Sequence, residues 1–334
     1  MKAVVYERYG PPDVLQIREI ATPIPKDHEI LIRIHVTTVT SGDWRVRSLN
    51  VPTGFGLIMR LVFGIWKPRQ PILGSELAGV VAAVGKNVTR FNVGDAVFAF
   101  SDVSTGCCAE YKCMPQDGLV LIQPPSLSNE QAAALCFGGT TALDFLRRGR
   151  VQKGDKLLVN GASGAVGTAM VQLARHFGAE VTGVCSTANV DLVKSLGARH
   201  VIDYTQEDFT QNGETYDVMI DTVGTAPFSR CKRSLKERGR LLLVVAGLPQ
   251  MLGSLWVSLM GRMTDRRTVI AGPAAVKRED LQMLAELAEA GAFRPVIDRQ
   301  VPLEQIVEAH RYVDSGRKRG NLIITVHSPP QGQA

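Results

Sequence analysis

A glycine-rich stretch between residues 161 and 167 has the residue types that bind phosphate. Main-chain amides at the start of a helix bind anions because they lack partners within the helix and lie at the positive end of its dipole. At this stretch Gly164 would let the backbone approach a pyrophosphate, and Gly167 would let the helix lie close to the preceding strand. We therefore predict that a dinucleotide binds at Gly161, Ser163, Gly164, Ala165, Val166 and Gly167.

The residues on either side supply the elements that such a turn requires. Leu157 to Val159 form a short apolar run, and from Met170 to Phe177 the apolar residues recur with helical spacing. Ala162 occupies the place of the first glycine in the usual fingerprint. A glycine turn without ligand is the alternative, but the position between a strand and a helix favours dinucleotide binding.

The two ends of the chain and its middle have different patterns. Residues 1–123 contain short β-rich runs separated by Pro and Gly, whereas strands and helices alternate from residue 124 to 271. The alternation predicts a doubly wound parallel sheet. Within it we expect a helix from Ser128 that Gly138 and Gly139 interrupt, a helix over 226–237, and a strand over 241–246.

Composition limits the class of protein. The chain has 334 residues, of which 45% are hydrophobic and 21% are charged, as is usual for globular proteins. No signal segment or long apolar run is found, which favours a cytoplasmic location. The net charge of +6 is scattered instead of forming an aromatic-studded basic face, so no nucleic-acid partner is expected. Six cysteines without CxxC spacing predict free thiols.

Two longer motifs carry a family resemblance that runs nearly the length of the chain. The motif from Gly154-Asp155 to Arg175 and the segment Gly74-Ser75-Glu76 resemble those of zinc-independent medium-chain dehydrogenases/reductases of the quinone oxidoreductase, or ζ-crystallin-like, type. Zinc-dependent members carry Gly-His-Glu at the second segment and a cysteine near Ser41, so no metal site is expected. The resemblance implies a Rossmann domain over residues 124–271, a β-rich GroES-like domain formed by residues 1–123 and 272–334, and a homodimer.

The end of the second strand of the nucleotide domain bears on the choice of cofactor. An NAD site places a carboxylate there, which would repel the 2′-phosphate of NADPH. This chain has Ser186 instead, and Tyr204 matches a family tyrosine that reaches the phosphate. Ala188 departs from the Lys or Arg of many relatives. We predict NADPH as the cofactor, with a moderate preference over NADH.

The resemblance also implies further contacts with the cofactor. Thr141, Val223, Val245 and Ala246 would border the nicotinamide, and Arg319 and Asn321 would return from the C-terminal segment to close the cofactor cleft. Three of these residues have an ordinary structural alternative: Val245 and Ala246 as strand-end core, and Arg319 as a solvated charge.

The reaction is predicted from what the site offers. Hydride addition to a quinone or another α,β-unsaturated carbonyl leaves charge on a conjugated oxygen, which modest hydrogen-bond donors stabilise. The candidate catalytic residues are Thr40, Ser41 and Asp43, although Asp43 could instead cap a helix. The expected substrate is a small hydrophobic carbonyl compound. The alternatives are a zinc-independent alcohol or aldehyde dehydrogenase and a nucleotide sensor or RNA-binding protein without turnover.

Two apolar stretches, residues 55–66 and 251–263, have helical spacing and no assigned role. Burial as core or cleft wall is the favoured interpretation, contact between protomers comes second, and peripheral membrane contact, suggested by nearby Arg and Lys residues, comes third.

Overall fold

The computed structural model describes residues 1–253 and 266–327, and it divides the chain into two compact units. Unit 1 comprises Met1–Val51, Gly56–Phe137 and Lys277–Ala334, and unit 2 comprises Pro52–Phe55 and Gly138–Val276. Unit 2 thus begins after Phe137, not after residue 123 as the change of pattern suggests. The reason is that the helix following Ser128 packs on the sheet of unit 1.

The strands, numbered along the chain, are β1 (Lys2–Val5), β2 (Gln16–Glu19), β3 (Glu29–Thr38), β4 (Glu76–Val84), β5 (Ala96–Phe100), β6 (Tyr111–Pro115), β7 (Val120–Ile122), β8 (Lys156–Asn160), β9 (Glu180–Cys185), β10 (His200–Asp203), β11 (Tyr216–Asp221), β12 (Leu235–Leu243), β13 (Thr268–Ala271), β14 (Ile297–Pro302) and β15 (Asn321–Thr325). The helices are α1 (Ser41–Ser48), α2 (Gly56–Phe63), α3 (Asn129–Ala134), α4 (Cys136–Arg148), α5 (Ala165–His176), α6 (Val190–Ser195), α7 (Phe228–Cys231), α8 (Arg278–Glu289) and α9 (Ile306–Asp314). A further helical stretch covers residues 248–253.

Unit 2 is built on a parallel sheet of six strands in the order β10-β9-β8-β11-β12-β13. The first two strands of the unit, β8 and β9, lie side by side, and β11 lies on the other side of β8. This is the strand order of a dinucleotide-binding Rossmann fold, whose ligands bind outside the carboxyl ends of the strands. The predicted doubly wound domain is confirmed.

Unit 1 contains a seven-stranded sheet in which β3 is central. It pairs with β4 on one side, and with β6 and β15 on the other. Ile323 in β15 lies opposite Thr38 in β3, so the two ends of the chain complete one sheet. The β-rich GroES-like domain is therefore confirmed. All six cysteines are free thiols, as predicted.

Two predicted helices are wrong in detail. The break between α3 and α4 falls at Leu135, and Gly138 and Gly139 lie inside α4. A Cβ on Gly138 would lie 2.7 Å from the carbonyl oxygen of Ala165, so this glycine allows α4 to lie against the start of α5.

The predicted helix over 226–237 is also wrong, because β12 begins at Leu235 and pairs with β11. Only Phe228–Cys231 is α-helical. The strand predicted to end at residue 246 ends at Leu243, which leaves Val245 and Ala246 in the following turn.

The first apolar stretch contains α2, and none of the residues of α2 is buried. Core burial is therefore the wrong interpretation for most of residues 55–66. Most of the second stretch, and the polar tail from residue 328, lie outside the described residues.

Candidate active site

The glycine turn after β8 leads directly into α5, with Gly164 as the N-cap. The first bond along the helix runs from the Thr168 amide to the Gly164 carbonyl, at 2.8 Å. The amides of Ala165, Val166 and Gly167 therefore have no partner within the helix. A glycine offers no capping side chain either, which leaves these amides to an external anion.

Two glycines of the turn have no room for a side chain. A Cβ on Gly167 would lie 2.0 Å from the carbonyl oxygen of Gly161, so only glycine lets α5 approach the turn this closely. Gly161 has φ +83°, and a Cβ there would lie 2.4 Å from Val223. Gly164 is different, because its nearest neighbour would be 3.8 Å away. The open side of the turn is thus at Gly164, where a pyrophosphate is predicted.

Asp221, at the carboxyl end of β11, holds the neighbouring loop in place. Its Oδ1 accepts hydrogen bonds from the amides of Val223 and Gly224, each at 3.0 Å, and its Oδ2 accepts one from the Ala226 amide at 2.7 Å. The side-chain amide of Asn160 also donates to Oδ1, at 3.0 Å. The loop carrying Val223 is therefore fixed against the end of β8.

The same edge of the sheet carries Val245. A Cβ on Gly224 would lie 3.1 Å from the Val245 side chain, so the turns after β11 and β12 are in contact. Val223 is half exposed and Val245 is partly buried. Gly161, Val223 and Val245 consequently lie along one edge, and the contact of Val223 and Val245 with a nicotinamide stays a prediction. Ala246 follows Val245 and is partly buried, while Thr141 is buried in α4.

Asn189 connects the turn to the end of β9. Its side-chain amide donates to the hydroxyl oxygens of Ser163, at 3.2 Å, and Ser186, at 3.1 Å. Each serine can therefore donate its own hydroxyl hydrogen outward. Tyr204 follows β10, its amide donates to the Cys185 carbonyl at 3.0 Å, and its ring is largely exposed.

A carboxylate that the sequence prediction overlooked lies at the end of β10. Asp203 accepts hydrogen bonds from the hydroxyls of Thr187 at 2.5 Å and Thr205 at 2.7 Å, and from the Gln206 amide at 3.1 Å. These bonds, the Thr187 hydroxyl first, lower the pKa of Asp203 below its ordinary value. Its oxygens are used to organise the loop beside Ser186.

The predicted catalytic residues of unit 1 lie at the start of α1. Thr40 and Asp43 form a capping box, in which Asp43 Oδ2 accepts from the Thr40 amide at 2.8 Å and from its hydroxyl at 2.6 Å. Asp43 Oδ1 accepts from the Gly74 amide at 3.1 Å. Burial raises the pKa of Asp43. The structure thus places Asp43 in the helix-capping role that the sequence leaves open.

Ser41 differs from the other two predicted catalytic residues, Thr40 and Asp43. Its side chain is exposed, and no hydrogen bond of its hydroxyl is found among the described residues. Ser75 is buried next to Glu76. In the part of the chain that the structure describes, no three His, Cys, Asp or Glu side chains gather in a group that could hold a metal ion.

Glu76 is a second residue that the prediction overlooked. It is fully buried, and its carboxylate accepts hydrogen bonds from the Thr38 hydroxyl and the Phe137 amide. Burial raises its pKa to about 7, with Lys318 acting in the opposite direction. Desolvation in turn lowers the pKa of Lys318 to about 8.

The two predicted contacts near the C-terminus have partners within unit 1. Arg319 is half exposed, with Nε 3.7 Å from Asp298. Asn321 is buried, and its side-chain amide donates to the Val296 carbonyl at 3.1 Å. Asn321 therefore stabilises the start of β15, and its role toward a cofactor stays a prediction.

Comparison with known proteins decides the family. Residues 26–124 match the alcohol dehydrogenase GroES-like domain, and residues 196–324 match a zinc-binding dehydrogenase family model. The chain is 32% identical over 340 residues to the quinone oxidoreductase of Homo sapiens, covering 97% of both chains. It belongs to the quinone oxidoreductase family of medium-chain dehydrogenases/reductases. The family binds nicotinamide cofactors, and the role of the turn at Gly161–Gly167 as their binding site stays a prediction.

Two further proteins show the same likeness. The 2-methylene-furan-3-one reductase of Solanum lycopersicum is 30% identical over 340 residues, covering 97% of this chain and 79% of the relative. The structure of the quinone oxidoreductase from Coxiella burnetii superposes with a TM-score of 0.85 at 29% identity, over 98% of this chain and 99% of that chain. The fold predicted from the motifs is therefore shared along the whole chain.

Proposed function

We propose that this chain is an NADPH-dependent reductase that transfers hydride to quinones or other α,β-unsaturated carbonyl compounds without a metal. The observation that carries the proposal is the open glycine turn, with unpartnered amides at Ala165–Gly167 and a hydroxyl, Ser186, at the end of β9. Homodimerisation and a cytoplasmic location belong to the same proposal.

The residues of unit 2 fit a dinucleotide. The helix amides and Ser163 would hold the pyrophosphate, and the edge formed by Gly161, Val223 and Val245 would support the nicotinamide. The dihydronicotinamide, when bound, supplies the hydride. Asp221 fixes the Val223–Gly224 loop, so this edge needs no rearrangement to receive the ring.

The preference for NADPH rests on the end of β9. The Ser186 hydroxyl can donate to a phosphate, and the exposed Tyr204 follows the adjacent strand. Asp203 is the nearest acid in sequence to Tyr204, but its oxygens already accept bonds from Thr187, Thr205 and Gln206. Asp203 also ends the third strand of the unit, β10, whereas an NAD site places its carboxylate at the end of the second strand, where this chain has Ser186. We expect the preference to be moderate because Ala188 stands where many relatives carry the Lys or Arg that pairs with the phosphate.

The substrate class follows from the donors in unit 1. Ser41 offers a free hydroxyl, whereas Thr40 and Asp43 are occupied in the capping box. Serine at positions 41 and 75 supplies neutral hydroxyls, which are poor zinc ligands compared with Cys and His. A conjugated carbonyl needs only such donors, because hydride addition at its β-carbon delocalises the charge. One relative's name describes reduction of 2-methylene-furan-3-one, an unsaturated ketone.

Steady-state oxidation of NADPH and NADH with a quinone, an enone, a saturated aldehyde and an alcohol tests the proposal. We expect turnover with the first two substrates, a higher kcat/KM with NADPH, and no loss after treatment with a chelator. The Ser186→Asp variant should shift the preference toward NADH, while Ser195→Asp, in α6, should not. Activity only on saturated aldehydes or alcohols would establish the dehydrogenase alternative, and cofactor binding without any turnover would establish the sensor.

A further inference from the structure

Helix α2 presents an apolar surface to solvent. Leu57, Ile58, Leu61 and Val62 lie on one side of the helix, where Leu57 is 70% exposed. Ile65 and Trp66 follow directly, and Trp66 is 90% exposed. We call these six side chains the outer face of α2. Exposed apolar patches of this kind mark interaction sites, because leaving them in water is unfavourable.

The outer face is not needed to hold the helix in place. Met59 and Phe63, one turn apart, pack against the hydrophobic core of unit 1 that includes Val46 and Leu73. These two residues lie on the side of the helix roughly opposite Leu57 and Leu61, given about 100° per residue. The helix is therefore apolar on two sides, and the inner side alone anchors it.

The segment that carries the outer face bears only positive charges, and the carboxylate of Glu7, which lies near Lys67, is paired with Arg18 at 2.7 Å. Between Asp43 and Glu76 the chain has no acidic residue but contains five arginines and lysines, of which Arg60, Lys67 and Arg69 border the face. Arg60 donates to the Ile65 carbonyl at 2.7 Å, and Arg69 donates to the Val62 carbonyl at 3.3 Å. These contacts keep two guanidinium groups at the end of the helix, beside the apolar side chains.

We propose that the outer face of α2 docks on the surface of an anionic lipid bilayer. An apolar helix face with adjacent cations and an exposed Trp is suited to lie in the interface, where the side chains enter the acyl boundary and the cations meet lipid phosphates. No helix among the described residues is long and apolar enough to cross a membrane, so the contact is peripheral. A second copy of the chain fits less well, since a two-fold axis through this face would bring identical cations together.

Flotation of the full chain with vesicles of phosphatidylcholine, with and without phosphatidylserine, tests the proposal. We expect binding to the vesicles that contain phosphatidylserine and its loss at high salt. The double variant Leu57→Ser/Leu61→Ser should weaken binding by about tenfold, since even partial burial of two leucines contributes about this much. Lys67→Glu should weaken it to a similar extent through repulsion from the anionic surface.

Matched variants separate these effects from general changes of the surface. Ile24→Ser removes another exposed apolar side chain, and Lys86→Glu reverses another exposed cation, both in unit 1. Neither should change binding, and all variants should keep the melting temperature of the parent.

The proposal fails if the parent does not bind anionic vesicles at low salt, or if the controls weaken binding as much as the outer-face variants. A change from dimer to monomer in the Leu57→Ser/Leu61→Ser variant, without vesicle binding by the parent, would identify a subunit interface instead. NADPH oxidation with a water-soluble quinone is measured separately, so failure of docking leaves the proposed reaction standing.

Discussion

The side-chain amide of Asn160 lies 3.0 Å from the carboxylate of Asp221, across the carboxyl ends of the neighbouring strands β8 and β11. The same carboxylate accepts three main-chain amides of the loop that follows β11. One buried acid thus joins the strand before the glycine turn to the loop that carries Val223.

We expect Asp221→Asn to weaken both folding and cofactor binding. The amide group of Asn replaces one of the two acceptor oxygens, so at least one main-chain N–H loses its partner, at a cost of about 1–3 kcal/mol. Urea unfolding and calorimetric titration with NADPH measure the two effects. Asp217→Asn, at the other end of β11, is the control and should leave the affinity for NADPH unchanged. Equal affinities of Asp221→Asn and the parent would contradict the role given to this loop.

Two glycine variants should separate folding from ligand binding. Gly167→Ala places a methyl group against the Gly161 carbonyl and should destabilise the protein by about 3 kcal/mol, as overpacking does. Gly164→Ala has room and an ordinary φ of −78°, so its stability should change by less than about 1 kcal/mol. The added methyl would nevertheless lie on the open side of the turn. A rise of about tenfold in the Kd for NADPH, or about 1.4 kcal/mol, is expected for Gly164→Ala. Unchanged binding would show that the pyrophosphate lies elsewhere.

His310 should make the protein less stable in acid. Its ring is buried with no hydrogen-bond partner among the described residues, near Arg47, whose Nη2 lies 2.6 Å from Asp314. Burial, followed by the charge of Arg47, lowers the pKa of His310 to about 3. The unfolded chain therefore binds a proton at this residue between about pH 6.5 and 3, so stability is complete above that range and falls as the pH falls through it.

The variant His310→Phe isolates this contribution. Between about pH 4 and 6 its free energy of unfolding should fall less steeply than that of the parent, by about 1.4 kcal/mol per pH unit. His176→Phe, in which the replaced histidine is exposed, should retain the slope of the parent. Identical slopes in all three proteins would show that His310 is hydrated in solution.

Glu76, in contrast to His310, should make the protein less stable as the pH rises. Its pKa is raised in the folded state, so the stability that it contributes is present below its unfolded value near 4.5 and is lost as the pH rises through about 7. Infrared difference spectra should show a protonated carboxyl band that disappears around pH 7 and is absent from Glu76→Gln. Glu19→Gln, which removes an exposed glutamate of β2, serves as the control and should keep the band.

Ser41→Ala should slow the proposed reaction with little effect on folding. Loss of one donor to a developing oxyanion lowers kcat by about 10- to 100-fold in a modest case. Ser48→Ala removes a hydroxyl from the other end of the same helix, where it donates to the Trp44 carbonyl, and should leave kcat unchanged. If both variants keep the kcat of the parent, another group stabilises the oxygen.

The order of strands and helices in the nucleotide domain was predictable because its signals are local. The strand, the glycine turn and the start of α5 follow from about twenty successive residues, and the structure places them as expected. Asn160 and Asp221 were not recognised as a pair, because their contact joins residues that lie 61 positions apart. The available signal in the sequence was Asp221 itself, an acid at the end of an apolar strand.

The errors have a similar cause. From the neighbouring sequence alone, Gly138 predicts a break in the helix. In the structure it lies inside α4, where the absence of a side chain allows the close approach of Ala165. The spacing of residues 55–66 correctly predicts a helix, yet spacing does not show that Met59 and Phe63 pack against the core while Leu57 and Leu61 are exposed. The catalytic candidates of unit 1 were chosen for their chemistry. Only the structure shows that Thr40 and Asp43 hydrogen-bond to each other in the capping box, whereas Ser41 is not part of it.

The pairing of β15 with β3 has a consequence for synthesis on the ribosome. β3 emerges early, but part of its edge is covered only when residues 321–325 have been translated. Apart from Pro52–Phe55, unit 2 is contiguous and can fold before that moment. Until β15 has been synthesised, the incomplete sheet of unit 1 therefore exposes unpaired backbone groups at the edge of β3, which can pair with other chains and lead to aggregation.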